Sequence, residues 1–472
     1  CSFCMINIIN RTQNENNISS QDSNVFRWWS PDFIIKQFEY FAQQGITNVK
    51  IADELFVLNP NHFIKICDLI IERGYKFNIW AYSRIDTCKP EYLAKLKAAG
   101  VNWLGLGIEN PSNAIRKEVH KDSFKEVRII DVINSIRDAG INVAANYIFG
   151  LPEETKESHL YANRKLIDLG FEVWNYSLHL LPGTEMDTTE SRKKYFKKTG
   201  FRLHDNSYGL YKEKKIFEAQ ETILKTNTLS VEDFKFFRFF HFLIQMMWSK
   251  KNYYYLLVFL KKNYDIHQVD FITDIIENID VGEKIFDLYK NFMSDYEEAE
   301  SFEKEEDLFS YWSKKENFSR LEKGEYGKLN MLYTYKIILG MRDEFSNFLM
   351  KVLEKIKDKK NITDKNFEEK CKELLKFQNC KFVQFNSSNL AKNKFNEYFS
   401  YDILSWIDGD FSLLNKFSEK KQYNFYFNDN EVEALNTQLK QNKSKNLNSK
   451  LRDMTVYTST KMFFYNVTEN NI

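Results

Sequence analysis

Five glycines set the frame of the first half of the chain. Gln44-Gly45, Arg73-Gly74, Ala99-Gly100, Ala139-Gly140 and Leu169-Gly170 each close a helix-like segment. A glycine just past a helix takes the left-handed cap that other residues resist. Each is followed within a few residues by an apolar, β-rich run, at about 48–57, 77–86, 101–109, 143–151 and 172–181. Helix starts agree: Ser30-Pro31 and Asn59-Pro60 place a capping residue before a proline of the first turn. Between Pro31 and Gly45, Ile34, Phe38 and Phe41 fall on one helical face. This alternation reads as repeated βα units on a parallel sheet, an α/β barrel or part of one. In such a barrel the chemistry sits at the C-terminal ends of the strands.

Proline placement separates this region from the rest. All six prolines lie at or before Pro182. From about 205 onward the pattern reads as mostly helical. Ser230-Val231-Glu232-Asp233 matches a capping box opening an aromatic-rich helix over 231–250, with Phe234, Phe237, Phe240 and Ile244 on its inner face. Because apolar residues run nearly all round it, this helix reads as core rather than as a nucleic-acid stacking surface. Further helices are expected at 252–262, 331–358 and 366–376, and an acidic solvated helix face or linker at 295–307. Strand-like runs at 424–428 and 454–467 flank a polar loop at 438–450. The expected division is a βα core over 1–205, a helical extension over 206–360 that covers the barrel mouth, and a C-terminal α+β region of unassigned role over 361–472.

Composition excludes several classes. Lys and Arg number 67 against 66 Asp and Glu in 472 residues, a near-balance that disfavours a nucleic-acid coat protein. The most apolar stretch, Phe239 to Ser249, is bounded by Arg238 and Lys250 and is too short to span a membrane. Six cysteines in so long a chain do not make a disulfide scaffold. The chain begins at Cys1 rather than Met, so more sequence is expected upstream, and a cytoplasmic location is expected.

Cys1-Ser2-Phe3-Cys4 is compatible with zinc binding, thiol–disulfide exchange or an iron–sulfur cluster. Polar groups gather where strands meet loops. Ala52-Asp53-Glu54-Leu55-Phe56 follows the first run and Tyr82-Ser83-Arg84-Ile85-Asp86 the second. Gly105-Leu106-Gly107-Ile108-Glu109-Asn110 closes the third and Asn146-Tyr147-Ile148-Phe149-Gly150-Leu151-Pro152-Glu153-Glu154-Thr155 the fourth. His179-Leu180-Leu181-Pro182-Gly183-Thr184-Glu185-Met186 follows the fifth. Charges at one barrel face form a site rather than a core. Tyr82, Tyr147 and Tyr176 are candidates for the pocket wall, with barrel core as the default. Cys67 reads as a core thiol and His179 as a hydrogen-bonded structural residue. Cys371 and Cys380 are too few for an auxiliary cluster.

Taken together these residues resemble the radical S-adenosylmethionine (radical SAM) superfamily over about residues 1–190. Cys1-Ser2-Phe3-Cys4 matches the last four positions of the signature C-x-x-x-C-x-(aromatic)-C, whose first cysteine would precede Cys1. The finer similarity is to members with an upstream cobalamin-binding domain, through Ile8-Ile9-Asn10-Arg11, Asp53-Glu54-Leu55-Phe56 and Leu181-Pro182-Gly183-Thr184. The resemblance implies a partial parallel (β/α) barrel lacking its first strand, followed by a mostly helical extension.

It also implies an activity: a 4Fe–4S cluster, with Cys1 and Cys4 as two ligands, reductively cleaves SAM to a 5′-deoxyadenosyl radical. By resemblance, Asp53 or Glu54 receives the SAM amino group, Arg84 its carboxylate and Glu109 its ribose. Ile148 and Gly150 match the adenine element, with Asn146 where the family has its first glycine. Leu181 and Pro182 lie against adenine. Gly105 and Gly107 would let the backbone approach the ligand. Expected partners are a small-molecule substrate and an electron donor such as flavodoxin or ferredoxin, with neither membrane nor nucleic acid. Cobalamin from an upstream domain would make the reaction a radical methyl transfer or a rearrangement. The alternatives are a methylthiotransferase acting on RNA or protein, and a barrel that has lost its cluster and serves as a binding scaffold.

Overall fold

The computed structural model describes residues 2–5, 28–121, 126–323, 328–383, 394–442, 450–451, 454 and 460–469. The chain divides into two units, Cys1–Thr199 with Glu221–Phe234, and Gly200–Gln220 with Lys235–Ile472.

The first unit is built on a five-stranded, all-parallel sheet in the order β1-β2-β3-β4-β5. The strands are β1 Asn48–Lys50, β2 Asn78–Ser83, β3 Val101–Glu109, β4 Asn142–Phe149 and β5 Val173–Ser177. Helices Pro31–Gln43, Pro60–Glu72, Pro90–Ala98, Glu126–Asp138 and Lys156–Asp168 alternate with them, which makes the half-barrel that the glycine rhythm implied. All five punctuating glycines are left-handed, with φ from 67° to 95°. Gly100 has a second constraint: a Cβ there would stand 2.3 Å from the Phe77 carbonyl oxygen. The Ser30 side chain caps its helix by accepting from the Phe33 N–H, whereas Asn59 occupies the cap position without a side-chain hydrogen bond.

Strand alternation sorts the two faces of the sheet. Ile79, Ala81, Leu104, Leu106, Ala145, Tyr147 and Phe149 are buried on the helix side. Each such large apolar side chain contributes about 1.5–3 kcal/mol by leaving water. The register places Trp80, Tyr82, Gly105, Ala144, Asn146, Ile148, Trp174 and Tyr176 on the opposite face. The first strand is shorter than its apolar run. It ends at Lys50, and Asp53 Oδ1 accepts from the Leu55 N–H at 2.8 Å to make a turn.

One correction concerns residues just before and after 206. The expected helical extension opens instead with a long hairpin, β6 Phe196–Tyr211 and β7 Lys214–Thr226. Its apex is Lys212-Glu213, both left-handed (φ 47° and 69°). Such turns favour Asn-Gly, so a Lys-Glu apex carries no sequence signal. Near its base, the Leu180 N–H donates to the Glu221 carbonyl at 3.1 Å and His179 bridges Thr222.

The second unit is mainly helical. Helix Val231–Ile244 opens with the expected reciprocal cap between Ser230 and Asp233, then continues as a π turn over Gln245–Ser249. Phe239, Phe242 and Tyr333 surround Phe292 with ring centroids 4.9–5.2 Å apart. The 331–358 run is interrupted by a π turn, Lys336–Gly340, before helix Arg342–Lys359. In the acidic segment, Glu305, Glu306 and Asp307 sit in the first turn of helix Glu305–Ser313, where they complement its dipole. Glu300 is not simply solvated: Arg238 donates to both of its oxygens, at 2.8 and 3.1 Å.

The C-terminal part carries an antiparallel sheet ordered β10-β9-β8, with β8 Lys394–Tyr401, β9 Lys416–Tyr426 and β10 Asn466–Glu469. The strand read at 424–428 is therefore only the end of β9; of the run read at 454–467, Asn466 and Val467 begin β10, and 455–459 lie outside the described residues. The loop read at 438–450 begins as the end of helix Asp429–Gln441, which Asn428 and Glu431 open with a capping box; 443–449 lie outside the described residues. Among the described residues no helix is long and apolar enough to cross a membrane.

Candidate functional site

Because the sheet is parallel, every strand-end group lies at one end of it. The N-terminal loop is fastened there too. The Ser2 N–H donates to the Val119 carbonyl at 3.2 Å, beyond β3, and the Met186 N–H donates to the Ser2 carbonyl at 3.3 Å, beyond β5. His120 and Glu185 approach to 3.4 Å between the same two segments. Cys4, partly exposed and in no disulfide, is thus held at the C-terminal strand ends. Cys1 lies outside the described residues.

Asp53 and Glu54 are exposed in the turn after β1, with Asp53 partly committed to the Leu55 N–H. Arg84, after β2, is clasped by Asp86 through two hydrogen bonds of 2.8 and 2.7 Å. That bond holds the guanidinium above its usual range against partial burial, and the charges of Asp86 and Glu109 add to the effect. Arg84 therefore lies in the field of Glu109, which belongs to the next strand.

Glu109 ends β3 in the left-handed region (φ 59°), where the register with β4 slips by one residue. Its carboxylate pairs with Lys121, and the two side chains are only 11% and 6% exposed. Gly107 makes room for this pair: a Cβ there would stand 2.6 Å from Glu109 Oε1 and 2.9 Å from Lys121 Nζ. Gly105 makes room for Trp80, whose indole a Cβ would meet at 2.5 Å. Both glycines, expected to admit a ligand to the backbone, are used in this structure by neighbouring side chains.

Ile148 and Gly150 close β4. Ile148 is on the face turned away from the helices, and Gly150 needs its φ of 87° to leave the strand. Tyr147, a pocket candidate, faces the other way and is fully buried in polar company. Leu181 is half-buried and Pro182 exposed; the Leu181 carbonyl accepts from Thr184 through both its N–H and its hydroxyl. Tyr82 and Tyr176 do lie on the open face.

The donors present suit the groups that the family resemblance implies. Cys4 supplies a soft thiolate for one iron of a cluster. Ser2 Oγ beside it is buried with no hydrogen-bond partner among the described residues, a group that a sulfide or thiolate would satisfy. Asp53, Glu54 and Glu109 offer carboxylates, and Arg84 a guanidinium, for the amino, hydroxyl and carboxylate groups of SAM. Among the described residues no three His, Cys, Asp or Glu converge on a metal site. Cys67 and Cys88 are buried, and burial pushes both thiols up to about 12. Cys371 is also buried.

The sequence does not single out Lys121, and it shows Asp86 only as a member of the strand-end group Tyr82–Asp86, not as the partner of Arg84. Lys121 follows Glu109 by twelve residues across a helix, a separation with no local period. The one available signal was Gly107, too small a residue for a buried strand without a neighbour to fit.

Known proteins match this part of the chain. Residues 1–188 match the family model described as the radical SAM superfamily. An uncharacterized methyltransferase of Pyrococcus horikoshii is 28% identical over 123 residues, 26% of this chain and 26% of that protein. A Methanocaldococcus jannaschii protein named as a methylthiotransferase is 26% identical over 185 residues, 37% of this chain and 41% of that protein. The radical SAM methyltransferase TsrM of Kitasatospora setae, solved with cobalamin and a [4Fe-4S] cluster bound, is similar at 20% identity and a TM-score of 0.34. That match covers 39% of this chain and 38% of that one. The chain thus spans less than half the length of each. With the parallel half-barrel, the cysteine loop at its C-terminal strand ends and the family match in agreement, residues 1–188 form a domain of the radical SAM superfamily.

Proposed function

We propose that this protein binds SAM and a 4Fe–4S cluster at the C-terminal ends of its parallel strands and catalyses a radical methyl transfer to a carbon of a small-molecule substrate, with cobalamin as methyl carrier. The observation that carries the reading is the fastening of the Ser2–Cys4 loop between Val119 and Met186, which brings a thiol to the strand ends that hold Arg84 and Glu109. When bound, the cluster supplies the electron that opens a carbon–sulfur bond of SAM.

The residues divide the work. Cys4, with Cys1, ligates iron. Asp53 or Glu54 takes the amino group of SAM. Arg84 turns from Asp86 to the SAM carboxylate, and Glu109 turns from Lys121 to the ribose. Ile148, Gly150, Leu181 and Pro182 receive adenine. Their apolar and backbone surfaces exclude water from the reacting bond, which a radical requires. The methyl-transfer part is supported by the description of the Pyrococcus relative. A flavodoxin or ferredoxin is the proposed electron source.

The test is reductive SAM cleavage by the native protein, expressed from its full reading frame and reconstituted anaerobically with iron and sulfide. Dithionite should yield 5′-deoxyadenosine, and Cys4→Ala should lower the yield at least 100-fold. Undiminished product from Cys4→Ala would overturn the reading. The Methanocaldococcus relative favours a second reading, methylthio transfer to RNA or protein. A methylthio group gained by RNA or protein added to the same assay would select it.

A further inference from the structure

Behind β4, on the helix side of the sheet, lies a polar cluster that the proposed chemistry does not use. Asn110, Tyr147, Glu154, His159 and Asn163 are all 0% exposed. Glu154 is its centre. Its Oε2 accepts from the Gly150 N–H at 2.7 Å. Its Oε1 accepts from the Tyr147 hydroxyl and faces His159 Nδ1 at 3.1 Å and Asn110 Nδ2 at 3.4 Å. Burial, then the Glu154 charge, push the Tyr147 phenol well above its usual range, so its O–H stays a donor.

The remaining bonds orient the ring. Asn163 Nδ2 bonds the His159 carbonyl at 2.9 Å and faces His159 Nε2 at 3.2 Å, while Asn163 Oδ1 accepts from Asn175 Nδ2. With the Asn163 amide donating, Nε2 is the acceptor and Nδ1 carries the proton toward Glu154. The cluster therefore links β4, through helix Lys156–Asp168, to β5.

It also links β4 to β3. Asn110 directly follows Glu109, and its carbonyl accepts from the fully buried Arg116 guanidinium at 2.6 Å. Asn110 Nδ2 donates to the Tyr147 oxygen at 3.2 Å. The carbonyl of Glu154 accepts in turn from Thr228 Oγ1 at 2.6 Å. So one carboxylate holds the turn at Gly150, and one amide joins it to the residue that ends β3.

We infer that Glu154 is a positioning residue for SAM: by fixing the Gly150 N–H it sets the turn that receives adenine, and through Asn110 it couples that turn to Glu109. This rests on the proposed function. It accounts for placing five polar side chains where an apolar core would be simpler, because hydrogen bonds fix an orientation that apolar packing leaves free.

The test uses the native protein. Amide exchange of the segment containing Gly150 is measured by mass spectrometry without added ligands. SAM affinity is measured by equilibrium dialysis on reconstituted, unreduced protein. Glu154→Ala should speed exchange of that segment and weaken SAM binding at least tenfold. Glu154→Gln keeps an acceptor for the Gly150 N–H, so it should stay within about threefold of wild type on both readouts. Tyr147→Phe removes one donor to Glu154 and should fall between them. If Glu154→Ala does not fold, the Gln and Phe variants decide. Unchanged SAM affinity in Glu154→Ala, or Gln failing as badly as Ala, overturns the inference. Wild type that binds no SAM overturns the proposed function as well.

Discussion

The two ends of one parallel sheet are built from opposite kinds of polar group. At the N-terminal end, four strands carry asparagines linked in a ladder. Asn78 donates to Asn48 at 2.8 Å, Asn102 to Asn78 at 2.9 Å, and Asn142 to the Asn102 carbonyl at 3.1 Å. These groups are neutral and near solvent. At the C-terminal end the groups are charged and buried: Glu109 with Lys121, and Glu154 among Tyr147, His159 and Asn110. Burying charge costs free energy, whereas a solvent-side amide ladder costs little. The same backbone thus separates a stabilising edge from an edge arranged for chemistry.

The comparison is broken most severely at Lys121. Lys121→Met leaves the Glu109 carboxylate buried without its partner and should cost about 3–5 kcal/mol in urea unfolding. Adding Glu109→Met should recover most of that loss. A single-variant loss below about 1 kcal/mol would mean that the pair is not buried as described. Gly107→Ala, whose Cβ meets both members of the pair, should cost about 1–3 kcal/mol. Asn102→Ala at the opposite edge removes the solvent-side bond to Asn78 and the 2.7 Å bond accepted from Lys97 Nζ, buries no unpaired charge, and should cost about 0.5–1.5 kcal/mol.

The thiols sharpen the contrast without changing stability at neutral pH. Cys67 and Cys88 keep their protons in the folded chain up to about 12, against 9.0 for the ordinary thiol. Their contribution is therefore complete below pH 9 and is lost as pH rises from there toward 12. At pH 8 iodoacetamide should modify Cys4 quickly and reach Cys67 and Cys88 only on unfolding. Rapid labelling of Cys67 in the native protein would contradict its burial.

Much of the parallel sheet was legible because its punctuation is local. A glycine past each helix and a proline opening three of the five helices need no distant partner, and all five glycines adopt the left-handed cap. The site was legible as a place, since charges recur where strands meet loops. Its pairings were not. Lys121 on Glu109 and the Glu154 cluster depend on side chains that only the folded chain brings together, and Asp86, two residues from Arg84, carries no sign in the sequence that it clasps it. Tyr147 shows the limit most clearly. It reads as barrel core by default, and strand alternation does turn it to the buried helix side, but nothing local announces the Glu154 carboxylate that it meets there. The β6–β7 hairpin escaped for a different reason: its Lys212-Glu213 apex adopts a conformation that sequence rules assign to Asn and Gly.

The most direct test of the account is SAM affinity compared across the two ends of the sheet. The native protein, reconstituted with iron and sulfide and left unreduced, would be titrated with SAM as wild type, Glu109→Gln and Asn102→Ala. The account predicts at least a tenfold weaker Kd for Glu109→Gln and no change for Asn102→Ala. Equal affinities for all three, or a loss confined to Asn102→Ala, would contradict it.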